Sequence, residues 1–256
     1  MALALGFLGL ERLSHGPRPK VGVRPGAAAP SIRLGPLAAE RELVELDVPG
    51  AGRAFVRLPL GATEPRPLVI ALHGAEDHPE PTCKTWGRIA GPRPFILCPR
   101  GEPSASGRYG WSSPAAVERE LRAALRALKQ RYGAHVSPGS VVLAAFSAGV
   151  RPALEIARQE ATFFQRLVLV SPESESWSAG RAGAYAKSGG QKVVFAVSEA
   201  ASRRASDAYL VFARGAGLGT KMVDVGERGV VFDEAVERAI APEFAWLVAD
   251  DPRYAP

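Results

Sequence analysis

The sequence lacks several features that define whole classes of protein. Only two of its 256 residues are cysteines, which excludes a small scaffold held together mainly by disulfides. The formal net charge is +6 and the pI is about 9.6, yet no block of five or six basic residues occurs. Basic residues are not interleaved with aromatic ones either, so we do not predict nucleic-acid binding. The positive charge is compatible with attraction to an anionic ligand.

The signatures of cofactor-dependent enzymes are also absent from the sequence. There is no G-x-x-x-x-G-K-[ST] phosphate loop, and no G-x-G-x-x-G follows a strand and opens a helix. Histidines, cysteines and carboxylates are not grouped at the spacing of metal ligands. We therefore expect neither a cofactor nor a metal.

No apolar run is long enough to form a stable membrane span. Residues 2–10 are apolar, and their length fits the hydrophobic part of a signal peptide. No basic residue precedes them, and the small residues at 27–29 come late for a cleavage site, so secreted or periplasmic and cytoplasmic locations both stay open. Residues 1–40 are predicted to be an N-terminal arm, either a signal or a linker segment. Residues 41–256 are predicted to be one domain.

From residue 42 onward, strand-like and helix-like patterns alternate. Residues 42–48 and 54–58 predict an antiparallel pair around a turn. Continuous apolar runs predict buried parallel strands at 67–72, 94–98, 141–145, 167–170, 193–197 and 221–225. Helical spacing occurs at 114–132, 148–159, 205–215 and 233–249, the last broken or kinked at Pro242. The alternation predicts an α/β protein with a mostly parallel eight-stranded sheet flanked by helices.

The most informative segment is VVLAAFSAGV at 141–150. An apolar strand leads directly into Ser147 and a helix follows, which predicts a tight turn with strained backbone dihedrals at the serine. Ala145 and Gly149 are small, as this turn requires where the strand and helix backbones nearly touch. The start of the helix places N–H groups, including that of Ala148, where they could stabilise an oxyanion. The alternative is a plain doubly wound fold with an incidental serine.

A set of segments around this turn resembles the α/β-hydrolase superfamily. The segments are LVIALHG, Trp86, FILCPRG, the pair Gly110-Trp111, and VVLAAFSAG. They cover roughly residues 65–175 and are most similar to the carboxylesterase, polyhydroxybutyrate-depolymerase and feruloyl-esterase group. The resemblance implies the α/β-hydrolase fold, with a serine nucleophile that attacks a carboxylic ester.

The resemblance also implies roles for individual residues. Ser147 would be the nucleophile, and the backbone N–H groups of Ala148 and Ala75 would hold the oxyanion. Gly74, which follows His73, would shape the pocket beside them.

The other two positions of a catalytic triad are not evident. In this fold an acid and then a histidine follow the serine along the chain. All four histidines precede Ser147, at positions 15, 73, 78 and 135. Arg228 occupies about the place expected for the histidine, and arginine stays protonated near neutral pH. Glu199 or Asp207 is the candidate acid, and His73 or His78 is the candidate substitute base.

Two functions therefore stay open. The first is a serine esterase in which hydrolysis is weak or lost. The second is a non-catalytic protein that binds a small-molecule ligand or another protein, in which Arg228 contacts an anionic group. Trp111 and Trp177 lie in loops expected near the carboxyl ends of the strands, where either could line a pocket.

The two cysteines, Cys83 and Cys98, allow two interpretations. They are either two buried thiols or a disulfide that requires an oxidising compartment.

Overall fold

The computed structural model describes residues 33–173, 177–197, 200–226 and 229–255, with only the backbone described at 200–206. Eight strands form its central sheet, in the order β1-β2-β4-β3-β7-β8-β9-β10. They are β1 (Leu43–Val48), β2 (Gly52–Arg57), β3 (Leu68–Leu72), β4 (Phe95–Cys98), β7 (Val142–Phe146), β8 (Arg166–Val170), β9 (Lys192–Val197) and β10 (Gly219–Asp224). A short hairpin of β5 (Glu102–Pro103) and β6 (Tyr109–Gly110) lies outside this sheet.

Strand directions follow the expectation from the sequence. β1 pairs antiparallel with β2, and β2 pairs antiparallel with β4. All other pairs in the sheet are parallel. The predicted mostly parallel eight-stranded sheet is therefore confirmed. In such a sheet the loops at the carboxyl ends of the parallel strands meet along one edge, where α/β proteins place their sites.

Six α-helices accompany the sheet in the described part of the chain. They are α1 (Pro79–Ala90), α2 (Pro114–Tyr132), α3 (Val150–Gln159), α4 (Ala179–Lys187), α5 (Ala200–Gly215) and α6 (Glu234–Val248). The sequence did not predict α1 or α4. Pro79 and Pro81 obscure the start of α1, although proline is tolerated in a first helical turn. In α4 only Ala182 and Tyr185 are buried, which is too few apolar residues for a clear helical period. α6 continues through Pro242 as one helix, so the expected break there is wrong.

Successive residues of the central strands face opposite sides of the sheet. Leu143 and Ala145 of β7 belong to the core beneath α2–α5, whereas Val142 and Ala144 belong to the core beneath α1 and α6. This alternation explains why the strands are apolar at every position.

A disulfide joins α1 to the last residue of β4. The sulfur atoms of Cys83 and Cys98 are 2.10 Å apart and their Cα atoms 5.8 Å apart. Both residues are fully buried. Of the two interpretations left open by the sequence, the structure therefore contains the disulfide.

The described end of the predicted arm is anchored to the domain. Leu34 donates its backbone N–H to Thr63, and Leu37 exchanges two backbone hydrogen bonds with Gly61 and Ala62. The Leu37 side chain is buried in the core. Residues 33–40 thus belong to the same compact unit as the sheet, and the division into an arm at 1–40 and a domain at 41–256 stays a prediction. Residues 1–32 lie outside the described residues, so the signal or linker segment stays a prediction. Within the described ranges no helix combines the length and the apolarity needed to cross a membrane.

Candidate functional site

Ser147 lies on a sharp turn between β7 and α3. Its backbone φ angle is +48°, a left-handed conformation that non-glycine residues adopt rarely and at a cost. Ser147, Ala148 and Gly149 form a single 3₁₀ turn, and α3 begins at Val150. The strand, the strained serine and the helix thus follow each other without an intervening loop, as in a nucleophile elbow.

Close contacts between the serine turn and the segment at the end of β3 require a glycine at 149 and leave little room for a side chain at 74. A Cβ atom at Gly149 would lie 2.6 Å from the carbonyl oxygen of His73 and 3.0 Å from Cβ of Leu72. A Cβ atom at Gly74 would lie 3.1 Å from the Phe146 ring and 3.6 Å from Cβ of Ser147. The segment after β3 therefore packs directly against the serine turn.

Two backbone N–H groups are available beside this contact. Ala148 is the second residue of the turn that starts α3, where N–H groups have no partner within the helix. Ala75 follows Gly74 and is exposed. Neither N–H donates a hydrogen bond to a described residue. Both groups therefore lack a described acceptor, and their role as an oxyanion hole stays a prediction.

The hairpin β5–β6 holds the loop that carries Ala75. The Glu76 carboxylate accepts hydrogen bonds from the hydroxyls of Ser104 and Ser106, and these bonds lower the pKa of Glu76. Backbone hydrogen bonds of 3.1 and 3.0 Å join the next residue, Asp77, to Tyr109. The loop conformation after β3 is thus fixed by contacts distant in sequence.

His73 is fully buried, and backbone carbonyls occupy both of its ring nitrogens. Nδ1 lies 2.7 Å from the oxygen of Gly74, and Nε2 lies 2.7 Å from the oxygen of Arg100. A neutral imidazole carries one ring hydrogen, so which of the two nitrogens donates depends on the tautomer. Neither ring nitrogen has a hydrogen bond to the Ser147 hydroxyl among the described contacts. The Trp111 ring stacks 4.5 Å from the His73 ring and donates its Nε1–H to the His73 carbonyl. His73 and Trp111 therefore support the loop after β3.

No hydrogen bond or ring contact joins His78 to Ser147 among the described residues. His78 is exposed at the N-cap position of α1 and contacts the Tyr109 ring edge-on at 5.7 Å. It lines a shallow cavity together with Arg53 and Arg100, and the described lining of that cavity includes no residue of the serine turn.

The structure describes only some of the residues predicted to stand at the acid and histidine positions of a triad. Glu199 and Arg228 lie outside the described residues. Asp207 is exposed on α5 and makes no hydrogen bond or ion pair with a residue that the structure describes. The Ser147 hydroxyl likewise has no hydrogen-bond partner among the described residues.

Two residues near the site had no functional signal in the sequence. Glu120, on α2, accepts a 2.8 Å hydrogen bond from the Gly101 N–H, and burial raises the pKa of its carboxyl. Gly101 directly follows Arg100, whose carbonyl contacts the His73 ring. By holding Gly101, Glu120 therefore helps to position the carbonyl that contacts His73. Phe232, in the loop after β10, packs 5.4 Å from the Phe146 ring. Only the tertiary structure reveals either contact.

Trp177 lines a cavity between α2, α3 and α4. The cavity has a volume of about 500 Å³. Its described lining does not include Ser147, Ala148 or Ala75, so it is separate from the serine turn.

Comparisons with known proteins identify the fold. No family model and no curated protein matches the sequence. Solved structures do match. A dienelactone hydrolase-like promiscuous phosphotriesterase from metagenomic libraries is 18% identical, with 80% of this chain and 98% of that chain covered and a TM-score of 0.59. A ferulic acid esterase is 14% identical, with coverages of 81% and 96% and a TM-score of 0.58.

A third similar structure is the fluorophosphonate-binding serine hydrolase F of Staphylococcus aureus. It is 13% identical, with 80% of this chain and 97% of that chain covered and a TM-score of 0.58. The chain therefore has the α/β-hydrolase fold, and the solved structures similar to it include serine hydrolases and esterases. This confirms the fold that the sequence segments implied.

Proposed function

We propose that this protein binds small carboxylic esters at Ser147 and hydrolyses them slowly, because it combines a nucleophile elbow with no base positioned on the serine among the residues that the structure describes. The observation that carries the proposal is the left-handed backbone of Ser147, with φ of +48°. Strained conformations of this kind cost roughly 1–3 kcal/mol and cluster at functional sites. The similar structures named as serine hydrolases and esterases support the same class of reaction.

The proposed reaction uses the serine and two backbone groups. The Ser147 Oγ attacks the ester carbonyl carbon, and its proton passes to water or hydroxide. The N–H groups of Ala148 and Ala75 donate to the oxygen that becomes negative. The tetrahedral intermediate then expels the alcohol as its anion and leaves an acyl-serine. Water hydrolyses the acyl-serine in a second step, releasing the carboxylic acid.

The reaction is expected to be slow because no base contacts the serine in the part of the chain that the structure describes. An unassisted hydroxyl is a weak nucleophile at neutral pH. Both ring nitrogens of His73 face carbonyl oxygens at 2.7 Å, and no histidine follows Ser147 in the sequence. A positioned base typically contributes about 10²–10⁴-fold to the rate. Only esters with a good leaving group, such as aryl esters, should therefore react measurably.

A second candidate is a non-catalytic protein that binds a small ester or an anionic ligand. The Ser147 hydroxyl without a described partner and the engaged ring of His73 favour it. In that case the two free N–H groups would bind a ligand oxygen without any bond being broken. The two candidates predict different behaviour of the serine itself.

Fluorophosphonate labelling of the wild type beside Ser147→Ala separates them. We expect slow labelling of the wild type and none of the variant. With p-nitrophenyl acetate, the rate that depends on Ser147 should rise with pH without levelling off near a histidine pKa of about 6.5. The probe reports the serine directly, and circular dichroism of both proteins verifies that they are folded.

The other outcomes are equally informative. Equal rates and no labelling in either protein would establish the non-catalytic alternative. Rapid labelling together with a rate plateau near neutral pH would show that a base does act on Ser147 and would overturn the proposal of slow hydrolysis.

A further inference from the structure

A groove beside the carboxyl end of β4 collects unpaired positive charge. It lies between the β1–β2 turn at 49–52, residues 100–103 after β4, and one face of α2. The groove has a volume of about 650 Å³, which is enough for a small molecule. Its described lining includes no residue of the serine turn, so the groove is separate from Ser147.

Packing holds the Arg100 side chain in this groove. A Cβ atom at Gly52 would lie 2.1 Å from Nη2 of Arg100, so the guanidinium occupies the space that a side chain at 52 would need. The Cζ atom of Arg100 lies 5.1 Å from the centre of the Tyr109 ring, a cation–π contact. A cation that is already positioned loses little conformational freedom when it binds a ligand.

The Arg100 guanidinium has no anionic partner among the described residues. The residue is half-buried, and its Nε is enclosed without a hydrogen-bond partner. The terminal nitrogens Nη1 and Nη2 are not enclosed, and they make no hydrogen bond to a described group. They therefore stay open to a ligand, and paired donors of this kind match the oxygens of a phosphate or carboxylate.

Two further arginines reach the groove from α2 without partners. Arg119 and Arg126 line it and are exposed, and neither makes an ion pair or hydrogen bond with a described residue. They are seven residues apart in the helix, which corresponds to two turns and about 10 Å along its axis. An anion with two charged groups can therefore contact arginines from both turns at once.

The groove also contains groups that weaken its attraction for anions. Glu102 and Glu120 belong to its lining. Arg122 lines it as well, but pairs with Glu118 and Glu160. The unpaired arginines at 100, 119 and 126 therefore exceed the two carboxylates in the described lining by one positive charge.

We infer that this groove binds a small anion that carries two linked phosphate groups. One phosphate would accept hydrogen bonds from the terminal nitrogens of Arg100, and the other would lie between Arg119 and Arg126. The excess of basic over acidic residues in the chain, 32 against 26, would favour the approach of such an anion. The site does not depend on the proposed esterase activity.

Calorimetric titration with pyrophosphate at an ionic strength of roughly 0.15 M tests the inference. We expect one molecule to bind per chain, and sulfate, a single dianion, to bind about tenfold more weakly. Arg119→Gln and Arg126→Gln should each raise the Kd about threefold, as expected for an exposed ion pair. Arg100→Lys should raise it about tenfold, because lysine keeps the charge but lacks the planar fork. Glu102→Gln should lower the Kd by removing a repelling carboxylate.

Arg151→Gln is the matched control. Arg151 is an exposed helical arginine without a described partner, on α3 and outside this groove, so its replacement should leave the Kd unchanged. An equal increase in Arg151→Gln and Arg119→Gln would show only a general attraction to a basic protein and would overturn the inference. The absence of saturable binding at millimolar pyrophosphate would overturn it as well.

The Nε–H group of Arg100 gives a readout that does not rely on the folding of variants. Because this group is enclosed, it should exchange slowly with water and give a distinct NMR signal, which its loss in Arg100→Lys identifies. Pyrophosphate should shift that signal in the wild type. Binding without such a shift would place the ligand elsewhere and would overturn the inference.

Titration with ADP identifies the source of the diphosphate group. Tighter binding of ADP than of pyrophosphate, with the same dependence on Arg100 and Arg119, would indicate a diphosphate ester. Weaker binding of ADP would indicate the free anion. Either result supports a diphosphate site, whereas ADP binding that is insensitive to both arginines would contradict it.

Discussion

The two sides of the candidate site differ in how they are built. On one side, the ends of β3 and β7 pack so closely that Gly74 and Gly149 cannot carry a side chain without displacing their neighbours. On the other side, the segments after β9 and β10 supply no histidine, since none follows Ser147, and the one candidate acid that the structure describes, Asp207 on α5, is exposed. Packing therefore specifies the first side, whereas the sequence supplies no triad histidine to the second.

This difference shows that the geometry of the serine turn and the presence of a catalytic base are determined independently. Close packing preserves the serine turn whether or not a reaction occurs, because a larger residue at Gly149 would collide with the backbone of β3. A catalytic base is not needed for this packing, so the packing does not preserve it. A nucleophile elbow is therefore good support for the fold and weaker support for activity.

The largest expected effect is on the rate of ester hydrolysis at Ser147 when a base is supplied from solution. If the serine side is competent, imidazole should accept the Ser147 proton. The difference in p-nitrophenyl acetate hydrolysis between the wild type and Ser147→Ala should then rise with imidazole concentration, by about tenfold or more, below the 10²–10⁴-fold typical of a positioned base. The variant corrects for hydrolysis by imidazole itself. A difference that stays flat would show that the serine side is not catalytically competent.

Placing a methyl group at Gly149 should break the packing that defines the serine side. The new Cβ would lie 2.6 Å from the carbonyl oxygen of His73, and overpacking of this kind costs about 1–3 kcal/mol. Gly149→Ala should lower the free energy of unfolding by that amount in urea titrations. Gly180→Ala, on α4 with open space around its Cα, is the matched control and should be neutral or slightly stabilising. Equal stability of the two variants would contradict the close approach.

A smaller effect is expected from Glu120, which anchors the turn beside His73. Burial raises the pKa of its carboxyl, so its contribution to stability is fully present below the unfolded-state pKa of about 4.3 and is lost as pH rises through the higher folded-state pKa. Glu120→Gln removes this titration and keeps an oxygen that can accept from Gly101. Its melting temperature should therefore fall less than that of the wild type between pH 4 and pH 7.

Glu234→Gln is the control for that measurement, because the Glu234 side chain is 83% exposed in a surface pair with Arg238. It should keep the pH dependence of the wild type. Identical pH dependence of Glu120→Gln and the wild type would show that the Glu120 carboxyl does not titrate as a buried group.

Much of the fold could be predicted from the sequence because its signals are local. Strands such as VLAAF and KVVFAV are buried on both faces, so each appears as a continuous apolar run. α4 was missed because its alanines and glycines produce little contrast between faces. The anchoring of Leu37 was missed because its partners, near residue 62, do not belong to the same local pattern.

The sequence by itself determined the eight-stranded α/β sheet and the serine turn, because apolar runs and small residues around Ser147 act over a few neighbours. Only the tertiary structure decided what surrounds the serine. His73 is close in sequence to the loop that carries Ala75, yet whether its ring faces Ser147 or two backbone carbonyls depends on Arg100 and Trp111. The direction of a buried side chain is set by the groups packed around it, and those come from distant parts of the chain.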